Sequence, residues 1–78
     1  MVVKASVEAV RKLQSTQAEA RRLGFLGLEL ETQLAIGQIE MGYGAADAGR
    51  SRLGVLEKIA RAKGYALIAR KAAAAAGT

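Results

Sequence analysis

Two glycines constrain this chain more than any other feature. Gly24 and Gly64 stand 40 residues apart, and each closes a stretch of helical character. Arg21 and Arg22 precede the first, Arg61 and Lys63 the second, and an aromatic follows each, Phe25 and Tyr65. Glycine reaches the left-handed conformation that stops a helix without a Cβ penalty. Basic side chains suit the negative end of the helix dipole just before it. The likeness extends outward. Glu-Ala-Arg-Arg-Leu-Gly-Phe at 19–25 lies over Ile-Ala-Arg-Ala-Lys-Gly-Tyr at 59–65. At the same offset Leu13 meets Leu53, Lys12 meets Arg52, Leu28 meets Ile68, Ala35 meets Ala75 and Gly37 meets Gly77. Self-similarity at such a period marks helical arrays in which one helix pair is the unit.

The apolar spacing predicts four helices, over about 4–23, 25–42, 45–63 and 65–76, within a single helical-repeat domain spanning 1–78. Val3, Val7, Val10, Leu13 and Ala20 form the apolar row of the first. The second carries two rows: Phe25, Leu28, Ala35 and Ile39, and Leu26, Leu30, Leu34 and Met41. A helix apolar on two sides is expected between two neighbours. Gly42-Tyr43-Gly44 marks a tight turn. Leu53, Leu56, Ile59 and Ala60 make the inner face of the third helix, with Asp47 as its expected N-cap. Tyr65, Ile68 and Ala72 do the same for the fourth, and the run Ala72 to Ala76 reads as a fraying end.

Composition agrees with helix packed closely on helix. The 78 residues include no Pro to break a helix, and hydrophobic residues make up 51% while aromatics make up 4%. With no Cys and no His, disulfides, thiolate metal sites and imidazole general bases are excluded. No run approaches the roughly 18 apolar residues of a membrane span, so no membrane association is expected. No secretory signal is legible, and the expected location is cytoplasmic.

The net charge is +5, which by itself suggests an acidic partner. Its distribution argues otherwise. Glu29, Glu31 and Glu40 are the only charges from 23 to 44, and basic segments flank them on both sides. In antiparallel neighbours such charges match within the fold.

Within the second and third segments Gly37, Gly44, Gly49 and Leu53 stand in the order and spacing of a tetratricopeptide repeat, with Ile36 where that family has a leucine. The chain resembles that family over about one full unit and two half units. The resemblance implies an all-α, antiparallel helix-pair array, an α-solenoid fragment of about four helices. It assigns Gly37 and Gly49 to close backbone packing. Gln33, Glu40, Leu56 and Arg61 depart from its pattern at the places of an aromatic, a tyrosine, an alanine and a proline. The chain is also similar to trailing repeats of large bacterial signalling and regulatory proteins, which implies a piece or short relative of a longer array.

Chemistry-bearing motifs are few. Gly44 to Ser51 reads Gly-Ala-Ala-Asp-Ala-Gly-Arg-Ser, close to a phosphate loop. Arg50 replaces the required lysine and no strand pattern precedes it, so a helix-pair turn is the expectation. Glu29 and Glu40 share a helix face, and an acidic face paired with basic neighbours is expected there. Ser6, Ser15, Thr16 and Ser51 have no activating partner. Arg50, Arg52, Lys58, Arg61, Arg70 and Lys71 could hold phosphates, but Phe25, Tyr43 and Tyr65 are the only aromatics for base stacking.

No enzyme, cofactor or metal is expected. The leading expectation is a protein-interaction scaffold holding a peptide or helix of a partner protein, with Glu29, Gln33, Gln38 and Glu40 of the second helix in the groove. The alternatives are a small basic nucleic-acid-binding protein, with nucleic acid the less expected partner, and a self-associating homo-oligomer built from an array fragment.

Overall fold

The computed structural model describes residues 2–77, with side chains from Val7 onward. Val3 and Ser6, named above, therefore lie outside the described side chains. Among the described residues four helices follow in order: α1 (Val2–Leu23), α2 (Leu26–Gly42), α3 (Ala46–Ala62) and α4 (Ala66–Gly77). The fold is all-α, and each helix packs against its sequence neighbour, with α2 also touching α4. Among the described residues α1 meets α2 alone. The result is a flat array measuring 37 × 29 × 15 Å.

One turn is used three times. Gly24, Gly44 and Gly64 have φ of 78°, 92° and 87°. The amide after each glycine reaches back five residues: Phe25 to the Ala20 carbonyl at 2.8 Å, Ala45 to Glu40 at 3.1 Å, and Tyr65 to Ala60 at 2.8 Å. This is the long bond of the Schellman stop. The same three residues then accept the first bonds of the next helix, from Glu29, Gly49 and Ala69. The period of the turns is therefore 20 residues, half the repeat legible in the sequence, because Gly44 lacks the following aromatic and the preceding basic residues that mark the other two. It also explains why three helices start one residue later than their spacing predicts. Phe25, Ala45 and Tyr65 serve both the end of one helix and the start of the next. Asp47 is accordingly not the N-cap. Ala45 holds that position with no side-chain cap, and Asp47 lies in the first turn of α3.

The core lies between α2, α3 and α4. Leu30, Leu34, Leu53, Leu56, Ala60, Ile68, Ala69 and Ala72 form one buried cluster, with Leu26, Met41, Tyr65, Ala75 and Ala76 against it. The alanine run is thus no frayed end: α4 extends to Gly77 and Ala72 is fully buried, because small side chains let α4 sit close to its neighbours. Ile59 and Val7, expected on inner faces, are exposed, and Ile59 lies on the flank of α3 that no helix covers. Of the two rows on α2, Leu26-Leu30-Leu34-Met41 faces this core. The other is only half covered, with Ala35 and Ile39 half-buried and Phe25 and Leu28 exposed. Ile36, on neither row, is fully buried. Thr32 is buried as well, its hydroxyl donating to the Leu28 and Glu29 carbonyls at 3.0 and 2.8 Å. No buried side-chain polar atom is orphaned among the described residues.

The α2–α3 seam is a near contact of backbones. A Cβ at Gly37 would meet Leu53 Cδ2 at 2.5 Å, and one at Gly49 would stand 2.9 Å from the Met41 amide nitrogen and 3.0 Å from the Gly37 carbonyl oxygen. Leu53, fully buried, fills the notch that Gly37 leaves. A side-chain tip can yield, but helix backbone cannot, so Gly49 is the stricter position. Gly54, on the same helix, has nothing within 4 Å of the place a Cβ would take. Gly49→Ala is therefore expected to destabilise by about 1–3 kcal/mol despite its better helix propensity. Gly54→Ala should instead stabilise by about 0.5–1 kcal/mol. Urea unfolding followed by circular dichroism measures both, and equal effects would mean the seam is not tight.

Candidate interaction surfaces

Most charged groups on α2 are engaged inside the fold. Arg52 of α3 reaches across to α2 and forms a two-sided clamp. Its Nε and Nη2 donate to the Glu40 carboxylate at 2.7 and 3.3 Å, and its Nη1 donates to Gln33 Oε1 at 2.7 Å. The planar guanidinium suits this bidentate grip. Towards the start of α2, Arg21 of α1 donates to Glu29 at 3.0 Å. The acidic helix between two basic ones is thus stitched to both, as the charge order implied.

The four residues expected to line a groove do not form one surface. At about 100° per residue, Glu29, Gln33 and Glu40 share one flank of α2 and Gln38 lies on the opposite one. The first three are held by Arg21 and Arg52. Gln38 is exposed and borders an open hollow of about 570 Å³, together with Met41, Gly42, Ala46, Arg50 and Ala75. Three helices meet there: the end of α2, the start of α3 and the end of α4. Arg50 stands at its rim. It donates to the Ala76 carbonyl at 3.4 Å and pairs with Asp47 at 3.6 Å. The first contact places a cation against the negative end of α4. The second is long, and the Asp47 side chain is fully exposed.

The repeat-packing residues Gly37, Gly49 and Leu53 come together at the α2–α3 seam, whereas Gly44 sits in the turn with no neighbour within 4 Å of a Cβ position. This arrangement also disposes of the phosphate-loop spacing. Gly44 ends α2, Gly49 lies inside α3 against backbone, and Arg50 and Ser51 follow on the same helix. Ser15 and Thr16 edge a second hollow of about 380 Å³ with Glu19, Ala20, Leu23, Phe25 and Leu28. Among the described residues no group of three or more acidic side chains is placed to hold a metal ion, and no helix is long and apolar enough to cross a membrane.

Arg50 as a rim residue was missed at the level of sequence, where it counted among several basic positions. Its one signal was proximity to the Gly44 turn. The clamp residue Arg52 was likewise hidden in a row of cations. No protein-family profile, curated protein or solved structure matches the chain.

Arg52 and Glu40 have side chains only 26% and 15% exposed. A double-mutant cycle on Arg52→Ala and Glu40→Ala should therefore give a coupling of about 1–2 kcal/mol. The exposed Arg22–Glu19 pair should give less than about 0.5 kcal/mol in the same experiment. Equal couplings would show that the clamp is ordinary surface charge.

Proposed function

We propose that the chain is a non-catalytic, tetratricopeptide-like interaction module that holds a short peptide segment of a partner protein in the hollow between α2, α3 and α4. The observation that carries this reading is the composition of that hollow. Met41, Ala46 and Ala75 make its apolar lining, and Gln38 and Arg50 stand at its edge. The acid partner of Arg50 is distant and fully exposed, so its guanidinium can turn to a carboxylate on an incoming peptide. The best-suited segment is a short apolar stretch with an acidic side chain or terminal carboxylate.

The family likeness is supported by the seam at Gly37, Gly49 and Leu53, which has the close approach that such repeats require. Gln33 and Glu40 serve the Arg52 clamp in this reading and do not contact the peptide. The engaged arginines favour this reading over a nucleic-acid one. Arg21, Arg22, Arg52 and Arg61 each hold a carboxylate at 2.7–3.0 Å, which weakens these four as a row of cations that could follow a phosphate backbone.

Panning a displayed peptide library against the intact chain tests the proposal. Selected peptides should carry an acidic group, and their affinity, measured by calorimetry, should fall about tenfold for Arg50→Ala, a loss of about 1.4 kcal/mol. Lys58→Ala, remote from the hollow, should leave it unchanged. Failure to select any peptide, or equal binding to the Arg50 variant, would overturn the reading.

A further inference from the structure

The repeat has one interior seam and two open ends, and the ends are complementary. Shifted by 40 residues, α1 and α2 align with α3 and α4, and three turn bonds recur at equivalent residues, donated by Gly24, Phe25 and Glu29 and by Gly64, Tyr65 and Ala69. Inside the chain α2 covers α3 and α4. Leu30 and Leu34 join the cluster of Leu53, Leu56, Ala60, Ile68, Ala69 and Ala72, and a Cβ on Gly27 would lie 3.6 Å from the Tyr65 ring. The equivalent end of α1 and α2 has no such cover among the described residues. Leu28 is 42% exposed where its counterpart Ile68 is 9%, and Phe25, the counterpart of Tyr65, is 56% exposed. Both edge the 380 Å³ hollow. At the other end of the array, α4 presents Ala66, Leu67, Arg70, Ala74 and Gly77 where α2 has Leu26, Gly27, Leu30, Leu34 and Gly37.

We infer that α4 of a second copy docks on the α1–α2 end as α2 docks on α3 and α4, joining copies head to tail. The residue changes at the two ends compensate each other. Inside the chain Leu30, Leu56 and Ala69 belong to one apolar cluster. At the ends the same three positions are Arg70, Thr16 and Glu29. A guanidinium thus appears on one end where a carboxylate appears on the other. Arg21 occupies Glu29 Oε2, and Oε1 remains for Arg70. Leu67, 56% exposed, takes the place of Gly27 and meets Phe25, whose exposed ring has room to turn aside. Gly77 stands where Gly37 does, opposite Leu13 in the place of Leu53, but Ala9 stands where Gly49 does, so the docked helix sits farther out at that end than α2 does on α3. Such a contact is heterologous and does not close on itself, so copies add in open rows. One helix meets two in this contact, and association rises with concentration. This inference is independent of the peptide hollow, which lies at the other end of α2.

Sedimentation velocity on the intact chain over about a hundredfold concentration range is the test, using variants Leu28→Glu and Leu67→Glu at opposite ends. The wild-type mass should rise with concentration. Each variant alone should stay monomeric, and an equal mixture of the two should form dimers and nothing larger, since one intact face of each kind remains. A wild type that stays monomeric throughout, a variant that still self-associates alone, or a mixture that stays monomeric would each overturn the proposal. Circular dichroism checks folding. Should a glutamate variant lose helix, Leu28→Gln and Leu67→Gln at these exposed positions replace the pair under the same criteria.

Discussion

The close approach of α2 and α3 governs the rest of the molecule. With Gly37 and Gly49 facing across the seam, two backbones come within contact of each other, and Leu53 is driven into the space left by a missing side chain. Leu53 in turn joins the cluster that collects α4. A wider seam would lift Leu53 from its notch and part the cluster. It would also carry Arg52 beyond reach of Glu40 and Gln33. Glycine inside a helix costs about 1 kcal/mol in propensity, and here the cost is offset by dispersion contacts that only a close seam allows.

The turns make this seam reproducible. Each of the first three helices stops at a left-handed glycine whose following residue opens the next helix, so the three connections share that glycine and the long bond that spans it. The chain thereby advances by the same step at every turn, and a stack of helix pairs follows without long-range instruction. Small residues complete the device. Ala20 and Ala60, at equivalent places before the two aromatic-bearing turns, are both fully buried, and a larger side chain at either would push the returning helix outward.

Charge is largely consumed by architecture. The acidic helix is tied to α1 through Glu29 and to α3 through Glu40, so most of the polar residues expected to meet a partner are already occupied. What remains open is set by geometry. One hollow lies where three helix ends meet, and apolar residues stand exposed at the two ends of the array. Only Gln38 of the expected groove residues borders the former. Helical phase alone separates Gln38 from Gln33 and Glu40, but choosing which flank is open requires knowing where α3 and α4 lie.

The all-α class, four helices and the stops at Gly24 and Gly64 were legible in the residues. Each depends on local physics: period, propensity and left-handed glycine. The close packing at Gly37 and Gly49 was expected only from the family resemblance. The equivalence of the Gly44 turn to the other two, the inclusion of the alanine run in the core, the exposure of Ile59, Phe25 and Leu28, and the engagement of Gln33 with Arg52 were decided only by tertiary structure. Alanine has no pattern of its own to distinguish a buried face from an exposed one. An apolar row declares that a face could be covered, and only the packing of the other helices determines whether it is.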